Sequence, residues 1–260
     1  VGVDQRSACR HPDWTGPDDL AIKVQELREL TDWEKPIYIK IGATRVFNDV
    51  KLAVHAGADV IVLDGMQGGT AATQTIFIED IGIPTLPALR QAVEALEDMN
   101  MKGKVQLIIS GGIRTGADVA KALAMGADAV AIGQGVLFSL GCNSETYVHN
   151  GEHISAEADY AALGTAPGYC HHCHTGKCPV GVTTQDEILE QRIQPAYASK
   201  RLRNYLKTLT MELTTVARAC GKMDVHHLER EDLVALTIEA AAMAKIPLAG
   251  TSWIPGVSQF

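Results

Sequence analysis

The chain has 260 residues, 46% of them apolar and 21% charged, with a formal net charge of −8. That length can bury a sizeable core, and the acidic balance argues against a nucleic-acid surface. No run approaches the roughly 18 uncharged apolar residues that a membrane span needs. The opening residues Val1-Gly2-Val3-Asp4 have no basic n-region, no apolar h-region and no initiator Met. The expectation is a cytoplasmic protein whose chain begins inside a longer polypeptide.

Strand candidates follow in order at Pro36–Ile41 (PIYIKI), Val60–Leu63 (VIVL), Val105–Ile109 (VQLII) and Ala129–Ile132 (AVAI). Their apolar runs lack a two-residue alternation, which predicts strands of a parallel sheet buried on both faces. Amphipathic helices are predicted at Asp18–Leu30, around Val46–Ala56, at Leu89–Asn100 and at Ala117–Met125. Alternating βα units mean either a barrel or a doubly wound sheet. Ala56-Gly57-Ala58-Asp59 before VIVLDG is echoed by Met125-Gly126-Ala127-Asp128 before AVAIGQG. Each copy ends a helix on Gly and leaves its strand on Gly, at the mouth where barrel loops bind ligands.

Four strands are half of what a closed (β/α)8 TIM barrel needs, so only its C-terminal strands are expected here. Residues 143–185 read as a loop rich in Gly, His and Cys. From Thr184 to Lys245 the pattern turns helical, with a long run over Ala196–Cys220. The expected division is a barrel part over 1–141, an insertion and cysteine loop over 142–186, and a helical region over 187–260.

The chemistry-bearing residues lie at the strand exits. SGGIRTG at 110–116 and GQG at 133–135 each lead from a strand into a helix. Paired glycines admit an anion to the backbone, and the following helix N-terminus offers unpaired N–H groups. Gly111, Gly112, Gly133 and Gln134 are therefore candidates to hold a phosphate, such as that of FMN or of a substrate, with Arg114 adding charge. The alternative is that these glycines only make left-handed turns. DGMQGGTAA at 64–72 is a further glycine-rich exit loop, able to lie against a flat ring or a carboxylate. Lys40 stands inside the apolar strand, where a buried ammonium needs a partner. It either points into the barrel mouth beside a flavin edge or reaches out to solvent. Asp64 and Arg45 are further candidates for substrate or ribityl contacts.

Cysteines stand at 9, 142, 170, 173, 178 and 220. Cys170, Cys173 and Cys178 form C-x2-C-x4-C-P, a spacing that favours an iron–sulfur core. A zinc site using His171, His172 or His174 is the alternative. Cys9 and Cys220 read as structural thiols.

Taken together, SGGIRTGADVAKALAMGADAVAIGQGVLFSLGC, DGMQGGTAATQ and CHTGKCPVGVTTQD resemble the FMN-binding domain of the glutamate synthase large-subunit family. The likeness is nearest to split-gene members, which include the third subunit of N-methylglutamate synthase (methylamine–glutamate N-methyltransferase). The resemblance implies a (β/α)8 barrel, FMN, a 3Fe–4S cluster and reduction of a 2-oxoglutarate-derived imine to glutamate. By that match Lys40 lies near flavin and oxo acid, Gly65, Gly68 and Gly69 line the substrate side, and Gly111, Gly112 and Gly133 grip the phosphate. The family's first cluster ligand corresponds to Cys142, with Cys173 and Cys178 as the second and third. Cys170 is then an extra thiol, which either replaces Cys142 or joins it in a 4Fe–4S site. The implied partners are glutaminase-like and Gly-rich β-helix subunits or domains, an electron-donor protein, and ammonia or an amine as co-substrate. An IMP-dehydrogenase-like barrel and a non-catalytic electron-transfer or scaffold subunit are the rival readings.

Overall fold

The computed structural model describes residues 11–69 and 75–257. Cys9 and residues 70–72 of the glycine-rich loop lie outside that set. Four strands, β1 (Tyr38–Gly42), β2 (Val60–Asp64), β3 (Gln106–Ser110) and β4 (Ala129–Ala131), pair in parallel in chain order. The register brings Gly42, Asp64 and Ser110 level, and Ala131 beside Ser110. All four strand exits therefore open along one edge. The helices before and between them are α1 (Pro17–Leu30), which precedes β1, α2 (Val46–His55), α3 (Thr75–Glu79), α4 (Thr85–Asp98) and α5 (Gly116–Ala124).

One face of the sheet carries the core. Ile61, Leu63, Leu107 and Ile109 are fully buried together with Val46 and Val50 of α2 and Ala88 and Leu96 of α4. Each large side chain buried in this way stabilises the fold by about 1.5–3 kcal/mol. The opposite face is not covered as the sequence suggested. Tyr38 and Lys40 are exposed, and Val62 and Ile108 only half-buried. The strands are thus buried on one side, which makes the sheet an open section of a (β/α) barrel with its inner face uncovered.

The repeated Ala-Asp step has a structural cause. The Asp59 carboxylate accepts the Ile37 N–H at 2.7 Å, and Asp59 N–H donates to Ile37 O. Asp128 repeats both bonds with Leu107, again at 2.7 Å for the carboxylate. Each aspartate pins the start of its strand to the start of the neighbouring one, and a basic residue, Arg28 or Lys102, backs it.

Past β4 come α6 (Gln134–Leu140), the hairpin β5 (Thr146–His149) and β6 (Glu152–Ser155), α7 (Glu157–Ala162), α8 (Pro195–Ala219) and α9 (Ile238–Ala244). The region expected to be irregular thus contains a hairpin and a helix. Asn150 and Gly151 both have positive φ, 50° and 85°, and make the tight turn that an Asn-Gly pair favours. The 25-residue α8 packs across α5 and α6, with Ala217 meeting Ala120 and Ala124. Cys220 packs at the edge of this second core, in keeping with a structural thiol. Among the described residues no helix is long and apolar enough to cross a membrane.

Candidate functional site

The strand exits form a crown knit together by Thr85, the first residue of α4. Its hydroxyl lies 2.8 Å from both Gln67 Oε1 and Gly111 O, and its N–H donates to Gln67 Oε1 at 2.9 Å. Gly65 and Gly111 are glycine because this hub leaves no space. A Cβ on Gly65 would fall 2.0 Å from Thr85 Oγ1, and one on Gly111 2.7 Å from it. Gly111 and Gly112 also take positive φ, 109° and 76°. The loops after β2 and β3 and the start of α4 are thereby one packed unit. Thr85 and Gln67 are site-shaping residues that the sequence reading missed.

Across this edge, no described residue accepts a hydrogen bond from the N–H of Gly111, Gly112, Gly133 or Gln134. Because Ser110 and Ala131 are register partners, the two loops rise side by side. The helix that follows the first loop differs from expectation. The α5 N-terminus is already satisfied: Asp118 accepts from Arg114 N and Thr115 N, Thr115 Oγ1 accepts from Asp118 N, and Glu212 accepts from Gly116 N at 2.8 Å. Its amides are therefore spent on a capping box and on α8. The Arg114 side chain is exposed, and its carbonyl accepts from the Tyr205 hydroxyl at 2.8 Å.

On the open face of the sheet, Lys40 Nζ lies 3.0 Å from Asp64 Oδ2. Lys40 is exposed rather than buried, so the ammonium is both solvated and paired. Asp64 Oδ1 is buried with no hydrogen-bond partner among the described residues, beneath Gly68, where a Cβ would sit 2.2 Å from it. Gly69, with φ 123°, has open space around it. Arg45 is turned to Asp49 on α2 instead, at 3.7 Å.

The cysteines make a second centre. Gly141 ends α6 in a left-handed conformation and Cys142 N–H returns to Leu137 O, which sets Cys142 just past the helix. Asn143, itself at φ 59°, accepts from Cys170 N at 2.8 Å, donates to Cys170 O at 3.1 Å and reaches Cys142 Sγ at 3.5 Å. Cys170 and Cys178 pack with Tyr160, which is 1% exposed and donates its hydroxyl to Ser144 O. Burial, and then the neighbouring thiols Cys173, Cys178 and Cys170, push Cys142 up to about 11, although Asn143 works the other way. Burial likewise raises Cys170, followed by Cys178 and Cys173. Asn143 and Tyr160 thus bring Cys142, Cys170 and Cys178 into one neighbourhood, three residues of chain from Cys173, and none of the four is in a disulfide. Among the described residues, no three His, Cys, Asp or Glu side chains converge on a point suited to one metal ion. His171 and His172 stack on each other at 4.7 Å on the loop surface.

A family model described as the conserved region in glutamate synthase matches residues 1–154 and 156–223. The chain belongs to the glutamate synthase family. A glutamate synthase large subunit-like protein of Rhizobium meliloti is 61% identical over 259 residues, covering 100% of this chain and 57% of the relative. The archaeal glutamate synthase (NADPH) of Archaeoglobus fulgidus is 34% identical over 243 residues, 92% of this chain and 42% of that protein. The chain thus spans roughly half the length of these relatives. Among solved structures it is similar to a point variant of flavocytochrome b2 with benzoylformate, at TM-score 0.50 and 19% identity, over 90% of this chain and 41% of that one. At that identity the likeness concerns fold alone, and it agrees with the barrel section described above. Within this glutamate synthase family chain, the glycine crown and the cysteine centre are both built from segments inside the matched region.

Proposed function

We propose that the chain is the synthase part of a glutamate synthase-type oxidoreductase that carries FMN and an iron–sulfur cluster and reduces a 2-oxoglutarate-derived imine to glutamate or N-methylglutamate. The observation that supports this most is the crown, where amides of Gly111, Gly112, Gly133 and Gln134, without acceptors among the described residues, rise from adjacent strands beside the Lys40–Asp64 pair. Family membership points to the same class of reaction.

The residues present suit FMN. Four amides without an acceptor among the described residues match the oxygens of a phosphate monoester, and Arg114, two residues past Gly112, carries an exposed charge. Asp64 Oδ1, which has no hydrogen-bond partner among the described residues, is a candidate acceptor for a hydroxyl. When bound, FMN supplies hydride transfer and the cluster one-electron transfer. Lys40 holds positive charge on the open face of the sheet, where it stabilises negative charge on a ring or an oxo acid. Of the glycines that the family match puts on the substrate side, Gly69 faces open space, while Gly65 and Gly68 let Thr85 and the Asp64 carboxylate pack against the loop. Cys142, Cys170, Cys173 and Cys178 are the candidate cluster ligands. The reading further supposes glutaminase-like and β-helix partners, an electron-donor protein and a cytoplasmic setting.

The test is an anaerobic half-reaction with the full-length protein in its native assembly. After photoreduction, 2-oxoglutarate with ammonia or methylamine is mixed in while the flavin absorbance is followed. Rapid return of the oxidised bands only when amine and 2-oxoglutarate are both present supports the reading and identifies the amine. No reoxidation with either amine refutes it.

A further inference from the structure

The resemblance implies three cluster thiolates, but the local structure favours a different number. Cys142 and Cys170 belong to segments separated by a hairpin and a helix, yet Asn143 joins them through three contacts: two to the Cys170 backbone and one to Cys142 Sγ. The downstream segment is fixed as firmly. Arg192 donates to Pro179 O, next to Cys178, at 2.7 Å and to Asp159 of α7 at 2.8 Å, and its guanidinium lies over the Tyr147 ring of β5 at 4.7 Å. Tyr160 fills the space behind Cys170 and Cys178. Were either Cys142 or Cys170 only a bystander, a half-buried thiol would stand unused at the centre of this framework.

We propose that Cys142, Cys170, Cys173 and Cys178 together ligate one four-iron cluster, with Asn143 as the positioning residue that joins the two segments and donates an N–H to the Cys142 sulfur. Each thiol gives up its proton to solvent on ligation and binds one iron corner of the core. A hydrogen bond to a ligand sulfur stabilises the reduced, more negative cluster and so raises its potential. This inference rests on the cluster reading in the previous subsection.

The experiment is Mössbauer and EPR spectroscopy of the full-length protein, purified anaerobically, as wild type and as Cys142→Ala and Cys170→Ala, with the flavin bands reporting that each variant folds. The wild type should contain about four irons per chain, be EPR-silent as isolated and gain a signal on reduction. Each variant should drop to about three irons and show the signal of an oxidised three-iron centre. A wild type that is already a three-iron centre, unchanged by one of these substitutions, overturns the proposal and leaves the cluster reading standing. A flavin-loaded wild type with no iron–sulfur absorbance overturns both. Asn143→Gly keeps the left-handed backbone while removing the side chain. It should lower the midpoint potential of the cluster, and an unmoved potential would remove Asn143 from that role.

Discussion

Lys40 Nζ sits 3.0 Å from Asp64 Oδ2 across the tops of two parallel strands, on the face that the helices leave open. The lysine side chain is 62% exposed, and an ion pair of that kind contributes only about 0–1 kcal/mol. Its value lies in where it holds a charge. Lys40→Ala should therefore change stability by less than about 1 kcal/mol while lowering turnover at least about tenfold, the scale expected when a charge stabiliser is removed. Bound FMN should remain. Turnover and flavin content measured on the same sample check this, and unchanged turnover would take Lys40 out of the mechanism.

Two glycines separate ligand binding from folding. At Gly133 a Cβ meets nothing within 4 Å, and φ is −103°, so alanine is sterically tolerated. Gly133→Ala should leave the thermal midpoint near that of the wild type, within about 0.5 kcal/mol, and weaken FMN retention by crowding the phosphate loop. At Gly116 the added Cβ would meet Leu209 O at 2.4 Å and Leu213 N at 2.6 Å, both backbone atoms of α8. Gly116→Ala should cost about 1–3 kcal/mol by overpacking. Thermal melts alongside flavin-release assays distinguish the two patterns.

The Asp59 lock predicts a pH dependence. Burial works to raise this carboxyl, but hydrogen bonds from Arg28 and the Ile37 N–H, with the Arg28 charge, outweigh it and hold it below its ordinary value. A lowered carboxyl stabilises the fold fully above its unfolded pKa of about 4. That contribution is lost as pH falls through the folded value. Asp59→Asn should be less stable than wild type at neutral pH, with the difference shrinking as the solution is acidified below about pH 4. Parallel melting curves over that range measure it, and a constant difference would contradict it.

Arg192 ties the cysteine loop to α7 and β5 with a side chain only 15% exposed. Arg192→Met keeps the bulk of the side chain and removes the donors, leaving Pro179 O and Asp159 short of a partner. It should cost about 1–3 kcal/mol and speed loss of the iron–sulfur absorbance under a chelator. Equal bleaching rates would limit Arg192 to an ordinary surface role.

The βα alternation and the long α8 were legible because apolar β-branched runs and helical periodicity carry strong local signals. The start of α4 was not: the helix is expected from Leu89, yet it begins at Thr85, since a proline such as Pro87 is tolerated in a first turn. The hairpin was signalled by Asn150-Gly151, but the surrounding Gly, His and Cys residues suggested a plain loop. The candidate glycines could be picked out because strand-exit position and residue type coincide. Gln67 with Thr85, and Asn143 with Cys170, could not, since neither pair has a short-range pattern and each meets only through the tertiary fold. The spent amides of α5 were hidden for the same reason, as Glu212 arrives from a helix distant in sequence.

The most direct test of the account is the UV–visible spectrum of the intact, anaerobically purified protein, with the released flavin identified after denaturation. The prediction is flavin bands over a broad iron–sulfur absorbance, with FMN as the flavin released. A colourless protein that yields no flavin would contradict it.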